Sequence, residues 1–222
     1  MSSFFPVAAS SQGAGINGAM VALYSLMGGL LLAWAIYLAW VIFEPRIRRA
    51  GEAQPAAARP RVAFLVTAIV LISDALMLVA VALPMWRARM TAPPVAANAI
   101  AVQVEAERYI WHFRYPGADG RFGSADDIVT TSLHVPVGRQ VVAQLTSKDV
   151  IHTFGVAGLR VKQDVIPGII ASVWFTPATE GRFDIACSGL CGPGHDQMRG
   201  VVIVESASDF ALFLAREAAS LK

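Results

Sequence analysis

Two stretches of this 222-residue chain leave no room for a water-facing surface, and they constrain its fold more than any other feature. Met20–Phe43 runs 24 residues without a charge, and Val62–Trp86 runs 25 with one, Asp74. At ~1.5 Å of rise per residue, either run forms a helix able to cross a hydrocarbon core of roughly 30 Å. Both are too long for the apolar core of a signal peptide, and Met1–Ala19 lacks the basic start such a peptide needs. Residues 20–90 therefore read as a transmembrane helical hairpin. Composition fits this segregation. A chain 55% hydrophobic is too apolar for an ordinary soluble domain, and 15% charged residues are too many for one lying wholly in a membrane.

Arginine placement orients the hairpin. The connector Glu44–Arg61 carries Arg46, Arg48, Arg49, Arg59 and Arg61, whereas residues 1–19 carry no Lys or Arg. The positive-inside rule makes the connector cytoplasmic. Residues 1–19 and the segment 91–222 are then both expected on the extracytoplasmic side of a cell membrane, in contact with lipid only through the hairpin. Thr91–Lys222 holds 11 Lys+Arg against 13 Asp+Glu, a net charge of −2, which argues against a nucleic-acid partner. Asp74 stands mid-span, where a carboxyl costs about 2.5–3.5 kcal/mol on insertion scales. It is expected to face a partner subunit as a helix-packing hydrogen bond, with a place on a proton path as the alternative.

Beyond the Pro/Ala-rich linkers Ala53–Pro60 and Thr91–Asn98 the apolar period changes to two. Tyr109, Trp111, Phe113 and Tyr115 alternate, which reads as a strand with an aromatic face. Pro116–Asp127 reads as a hairpin loop; its aspartates lack the spacing of a calcium loop. Short strand-like runs follow at Ile128–Val135, Gln140–Leu145, Ser172–Thr176, Gly181–Ala186 and Val201–Val204, and Ser208–Leu221 reads as a short helix. Strands at this spacing predict an all-β sandwich or barrel with a short C-terminal helix.

The chemistry is concentrated in Cys187-Ser-Gly-Leu-Cys191-Gly-Pro-Gly-His195-Asp-Gln-Met198. Cys, Cys and His recur every four residues, but Gly189, Gly192, Pro193 and Gly194 rule against a helix, so the segment is expected as a loop between two strands. Two cysteines outside the cytoplasm would by default form a disulfide. The company of imidazole and thioether points instead to copper, because thioether is a soft ligand that zinc sites almost never use. One Cys would complete a mononuclear blue site; two thiolates are able to bridge two coppers. A second His is then needed, and His152, after a predicted strand, is the candidate. His112 and His134 lie in alternating patterns and read as surface or packing residues.

The combination of Asp149-Val-Ile-His152, Val161-Lys-Gln-Asp164-Val-Ile-Pro167-Gly168 and Cys187-x3-Cys191-Gly-x2-His195-x2-Met198 resembles the Cu-A site of the cytochrome c oxidase subunit II family, in the family's order and along the whole chain. The resemblance implies a cupredoxin-like head on a two-helix anchor. It implies a dinuclear copper cofactor bridged by Cys187 and Cys191, with His152 and His195 each on one copper, Met198 as a weak ligand and the Gly189 carbonyl completing the set. It also implies electron transfer, from cytochrome c to the haem-bearing subunit I of an oxygen-reducing, proton-translocating complex with further subunits. The alternatives are an oxidase subunit served by a different small donor protein, or a non-catalytic copper carrier.

The sequence departs from the family at three places. Gly189 stands where the family has a Glu that helps hold a magnesium or manganese ion, so that second metal is expected to be weakly held or absent. Ile169 replaces an Arg. Tyr109 and Trp111 correspond to the family's paired tryptophans, the first of which resembles an electron intake point, and Tyr109 alters that position.

Overall fold

The computed structural model describes residues 7–47, 60–90 and 98–221. Arg48, Arg49 and Arg59 and most of both predicted linkers lie outside these residues. By internal contacts the chain divides into Gly18–Ala92 and a second unit made of Met1–Asn17 with Pro93–Lys222.

The first unit is helical. Helix α1 spans Gly13–Ile47; α2 (Pro60–Met77) continues through a wider turn, Leu78–Ala82, into α3 (Leu83–Met90). Pro84 explains the wider turn. It has no N–H for the carbonyl four residues back and its ring crowds that turn, so the ladder shifts and Leu83 N–H reaches Leu78 O instead. Gly13–Trp40 and Phe64–Ala88 are long and apolar enough to cross a membrane. Among the described residues most of their large apolar side chains are exposed: Leu31 is 72% exposed and Phe64 71%. Asp74 is exposed on α2.

The second unit, the head, is a sandwich of two five-stranded sheets. Its strands are β1 (Ile100–Glu107), β2 (Ile110–Tyr115), β3 (Ile128–Thr130), β4 (Leu133–Pro136), β5 (Val141–Ser147), β6 (His152–Val156), β7 (Val161–Val165), β8 (Ala171–Phe175), β9 (Gly181–Cys187) and β10 (Arg199–Glu205). The sheet orders are β3-β2-β1-β5-β8 and β4-β10-β9-β6-β7. Strands β1 and β5 pair in parallel, as do β4 and β10, with Ala106 beside Ser147 at the end of the first pair. Alternation buries one side of each strand: Val102, Val104 and Ala106 on β1 and Trp111, Phe113 and Tyr115 on β2 meet Phe154, Ile185 and Val202 from the facing sheet.

Several boundaries differ from expectation. The run Ile128–Val135 is not one strand. It breaks at Thr131–Ser132, where Thr130 Oγ1 donates to Ser132 O, and β3 and β4 join opposite sheets. Tyr109 lies in the turn before β2 rather than on it. Strand β1 was not expected because Ala101, Glu105, Ala106 and Glu107 are helix formers, here overridden by pairing on both edges.

Helix α4 (Ala207–Ser220) starts at Ser206, whose hydroxyl accepts from Asp209 N–H at 3.1 Å. It buries Phe210 and Phe213 while Leu212 faces outward. Phe213 stacks on the His134 ring, 3.9 Å between centroids, and His134 Nδ1 meets Glu205 at 3.1 Å. Beneath, burial pushes the Tyr115 phenol far above its ordinary range, and its hydroxyl donates to His134 O.

Residues before α1 add a strap with no signature in the sequence. Ser10 bridges Pro177 in antiparallel fashion. Ala9 N–H donates to Gly158 O, Ala178 N–H to Ala9 O, and Ser10 Oγ to Leu159 O at 2.6 Å. Ala9 is fully buried.

Candidate metal centre

The site forms at one end of the sandwich, where β6 begins and β9 ends. His152 is the first residue of β6 and Cys187 the last of β9, and the pairing Phe154↔Cys187 holds the two strands side by side. From Cys187 the chain leaves as a loop to Met198, one turn of which, His195–Gln197, is 3-10 helix. Cys187 N–H donates to Met198 O, closing the loop at its base.

This closure gathers the residues singled out by the sequence. The Cys187 and Cys191 sulfurs lie 3.8 Å apart and are not joined as a disulfide. Cys187 Sγ lies 4.0 Å from His152 Nδ1 and 3.2 Å from Gly189 O. Cys191 Sγ lies 3.5 Å from His195 Nδ1 and 3.9 Å from Met198 Sδ. His152, Cys187 and Cys191 offer ligand atoms that all lie within 4.8 Å of one another. Both cysteines, His152 and Met198 are buried, and His195 is half-buried. Burial, reinforced by the adjacent Cys187 sulfur, pushes the Cys191 thiol up to about 11. Two thiols, two imidazoles, a thioether and a carbonyl around one small volume suit a soft metal ion and leave no hard oxygen cage.

Two glycines are required by close approach. A Cβ on Gly189 would sit 2.5 Å from Thr153 Oγ1, a hydroxyl already committed to Asp164 Oδ1 at 2.7 Å. A Cβ on Gly194 would sit 2.7 Å from the Tyr109 ring, which therefore lies flat against the loop carrying Cys191 and His195. Trp111 packs edge-on to the His152 ring, 6.1 Å between centroids, and to Phe154 at 5.5 Å. Among the described residues its indole N–H has no hydrogen-bond partner.

The partner of His152 is Asp149, which the sequence marks only as a member of the Asp149-Val-Ile-His152 motif. His152 Nε2 lies 2.8 Å from Asp149 Oδ1. Burial opposes charge on Asp149, but hydrogen bonds from His152, Val150 and Arg108 win and hold its carboxyl well below the usual carboxylate range. His112 lies half-buried on β2, away from this network, and His134 packs under α4.

The fold and site together define a cupredoxin-like domain, carried with two apolar helices, whose donor set suits a soft metal. Residues 116–206 match the family described as cytochrome c oxidase subunit II, periplasmic domain. Similar proteins include the alternative cytochrome c oxidase subunit 2 of Bradyrhizobium diazoefficiens, 35% identical over 158 residues, covering 61% of this chain and 56% of that one. Others are the cytochrome c oxidase subunit 2 of Thermostichus vulcanus, 38% identical over 62% of this chain and 40% of its own, and the heme-copper oxidase subunit 2 of Aeropyrum pernix, 37% identical over 53% and 49%. The crystal structure of the periplasmic domain of subunit II of cytochrome oxidase from Bradyrhizobium japonicum aligns with a TM-score of 0.49 at 27% identity, covering 58% of this chain and 99% of that one. The chain spans about half the length of the curated relatives it matches. Residues 116–206 thus resemble the periplasmic domain of cytochrome c oxidase subunit II.

Proposed function

We propose that this chain is the electron-accepting copper subunit of a membrane-bound haem–copper oxidase, taking electrons from cytochrome c and passing them to haem in the catalytic partner subunit. The observation that carries the reading is the convergence of the Cys187 and Cys191 sulfurs, 3.8 Å apart, with one imidazole beside each. Cys187 and Cys191 would bridge two coppers, His152 and His195 would each bind one, and Met198 and the Gly189 carbonyl would be weaker ligands. A dinuclear copper centre supplies reversible one-electron storage. The protein's part is to hold the donors in nearly fixed positions. Strand pairing does this for Cys187 and His152, and the loop's internal bonds, His195 N–H to Gly192 O and Met198 N–H to His195 O, do it for the rest.

The Tyr109 ring against Gly194 and the Trp111 ring edge-on to His152 support this pair as the route by which electrons come in. Gly189 brings no carboxylate for a magnesium or manganese ion, and the Thr153 hydroxyl fills the space a longer side chain would need, so that interface ion is expected to be weakly held. The two candidate spans and the periplasmic-domain match support a membrane subunit with an extracytoplasmic head. The strap at Ala9–Ser10 supports an N-terminus on the head's side. Exposed Asp74 is read as a hydrogen-bonding group toward the partner subunit.

Copper analysis and EPR of the full chain in detergent test the proposal. Two coppers per chain and a spectrum of one unpaired electron shared between them are expected. A single copper with ordinary four-line hyperfine structure overturns it.

A further inference from the structure

Arg108 reaches the buried end of the site through one carboxylate. Its backbone N–H and its Nε both donate to Asp149 Oδ2, at 2.9 and 3.0 Å. The other oxygen, Oδ1, accepts from Val150 N–H at 2.7 Å and faces His152 Nε2 at 2.8 Å. An ionised carboxylate only accepts, so the proton between them belongs to His152 Nε2. That makes Nε2 the donor and leaves Nδ1, on the side of the Cys187 sulfur, as the ring nitrogen available to a metal. The neighbouring cation, Lys148, is occupied elsewhere, with Glu105 at 2.7 Å and Glu107 at 3.3 Å. Arg108 is thus the cation that faces Asp149.

We propose that Arg108 is a positioning and tuning residue for the metal centre: it anchors Asp149 against His152 and offsets the carboxylate's charge, setting how readily the centre accepts an electron. The proposal rests on copper binding as read above. A carboxylate behind an imidazole makes the ring a stronger donor and favours the more positive, oxidised centre. A guanidinium behind the carboxylate opposes this. Removing either charge should therefore move the redox balance in opposite directions, which a purely structural role for the pair would not do.

The test uses full chain loaded with copper, with variants Arg108→Gln, Arg108→Lys and Asp149→Asn. At one fixed ambient potential, Arg108→Gln should lower the ratio of reduced to oxidised centre about threefold, and Asp149→Asn should raise it about as much, the scale of one partly screened charge at this range. Arg108→Lys keeps the charge and should stay near the parent ratio. Copper content and the EPR line shape report whether each variant still builds its centre. Should Asp149→Asn lose copper, the contrast between Arg108→Gln and Arg108→Lys still decides. Shifts of the same sign, or a full copper complement with no shift in Arg108→Gln, overturn the proposal. Failure of the parent chain to bind copper overturns the functional reading and this inference together.

Discussion

The two halves of the site are built differently. His152 and Cys187 are held by paired strands, both are buried, and His152 has a fixed partner in Asp149. Cys191 and His195 hang on a loop; His195 is half-buried, and the neighbouring Leu190 is 86% exposed. The loop half is stiffened by its own turns and by the Tyr109 ring lying on Gly194. The first half therefore belongs wholly to the core of the fold, whereas the second joins the buried Cys191 to an imidazole, His195, that is partly exposed. Loss of a donor should be felt as lost stability in the first half and mainly as lost metal in the second.

The sharpest way to break this contrast is to remove each imidazole. His152→Ala should cost the metal-free chain about 2–4 kcal/mol, since it leaves a cavity against Trp111 and strips Asp149 of a buried partner. His195→Ala should cost no more than about 0.5–1 kcal/mol while still losing copper. Chemical denaturation of the metal-free variants checks this, and equal losses would erase the distinction.

A smaller effect sharpens it. Gly189→Ala forces its Cβ against the Thr153 hydroxyl, which is tied to Asp164, and should cost about 2 kcal/mol. Gly194→Ala meets the Tyr109 ring, a half-buried side chain whose hydroxyl, among the described residues, holds no second residue in place as Asp164 holds Thr153, so about 1 kcal/mol is expected. In a Tyr109→Ser background the Gly194→Ala cost should largely vanish, and a double-mutant cycle measures that.

The smallest effect is in pH. The Cys191 thiol, raised from about 9 to about 11, holds its proton more tightly folded than unfolded. Its contribution is complete below about pH 9 and is lost as pH rises toward 11, so the metal-free chain should weaken by about 1–2 kcal/mol across that window. The copper-loaded chain, its thiols already deprotonated, should show no such slope. Thermal melts at stepped pH compare the two.

What the sequence revealed and what it hid follow from range. The hairpin was legible because twenty-odd uncharged residues have few other uses, and the loop Cys187–Met198 because its donors are close in the chain. The aromatic alternation on β2 was legible for the same reason, being local. The Arg108–Asp149 pair was not: its members are 41 residues apart and meet only because β1 and β5 run parallel in a register that sets Ala106 beside Ser147. Thr153, which makes glycine necessary at position 189, likewise meets it only through the pairing of β6 with β9. The break at Thr131–Ser132 was hidden because both halves of Ile128–Val135 have strand character and only the choice of sheet separates them. The strap at Ala9–Ser10 has neither period nor charge to announce it.

That strap carries a consequence for how the chain is made. Ser10 and its acceptor Leu159 are separated by 149 residues, and Ala9 also takes its last bond from Ala178. A ribosome adding about 5–20 residues each second finishes the acceptors many seconds after the donors. During that interval Ala9 and Ser10 lack these partners. The head closes only when Ala9 and Ser10 and the segment Gly158–Ala178 arrive in one compartment. Insertion of only one of the two apolar helices would separate them, leaving the Gly158 and Leu159 carbonyls without their partners, so completion of the fold also checks that both helices have inserted.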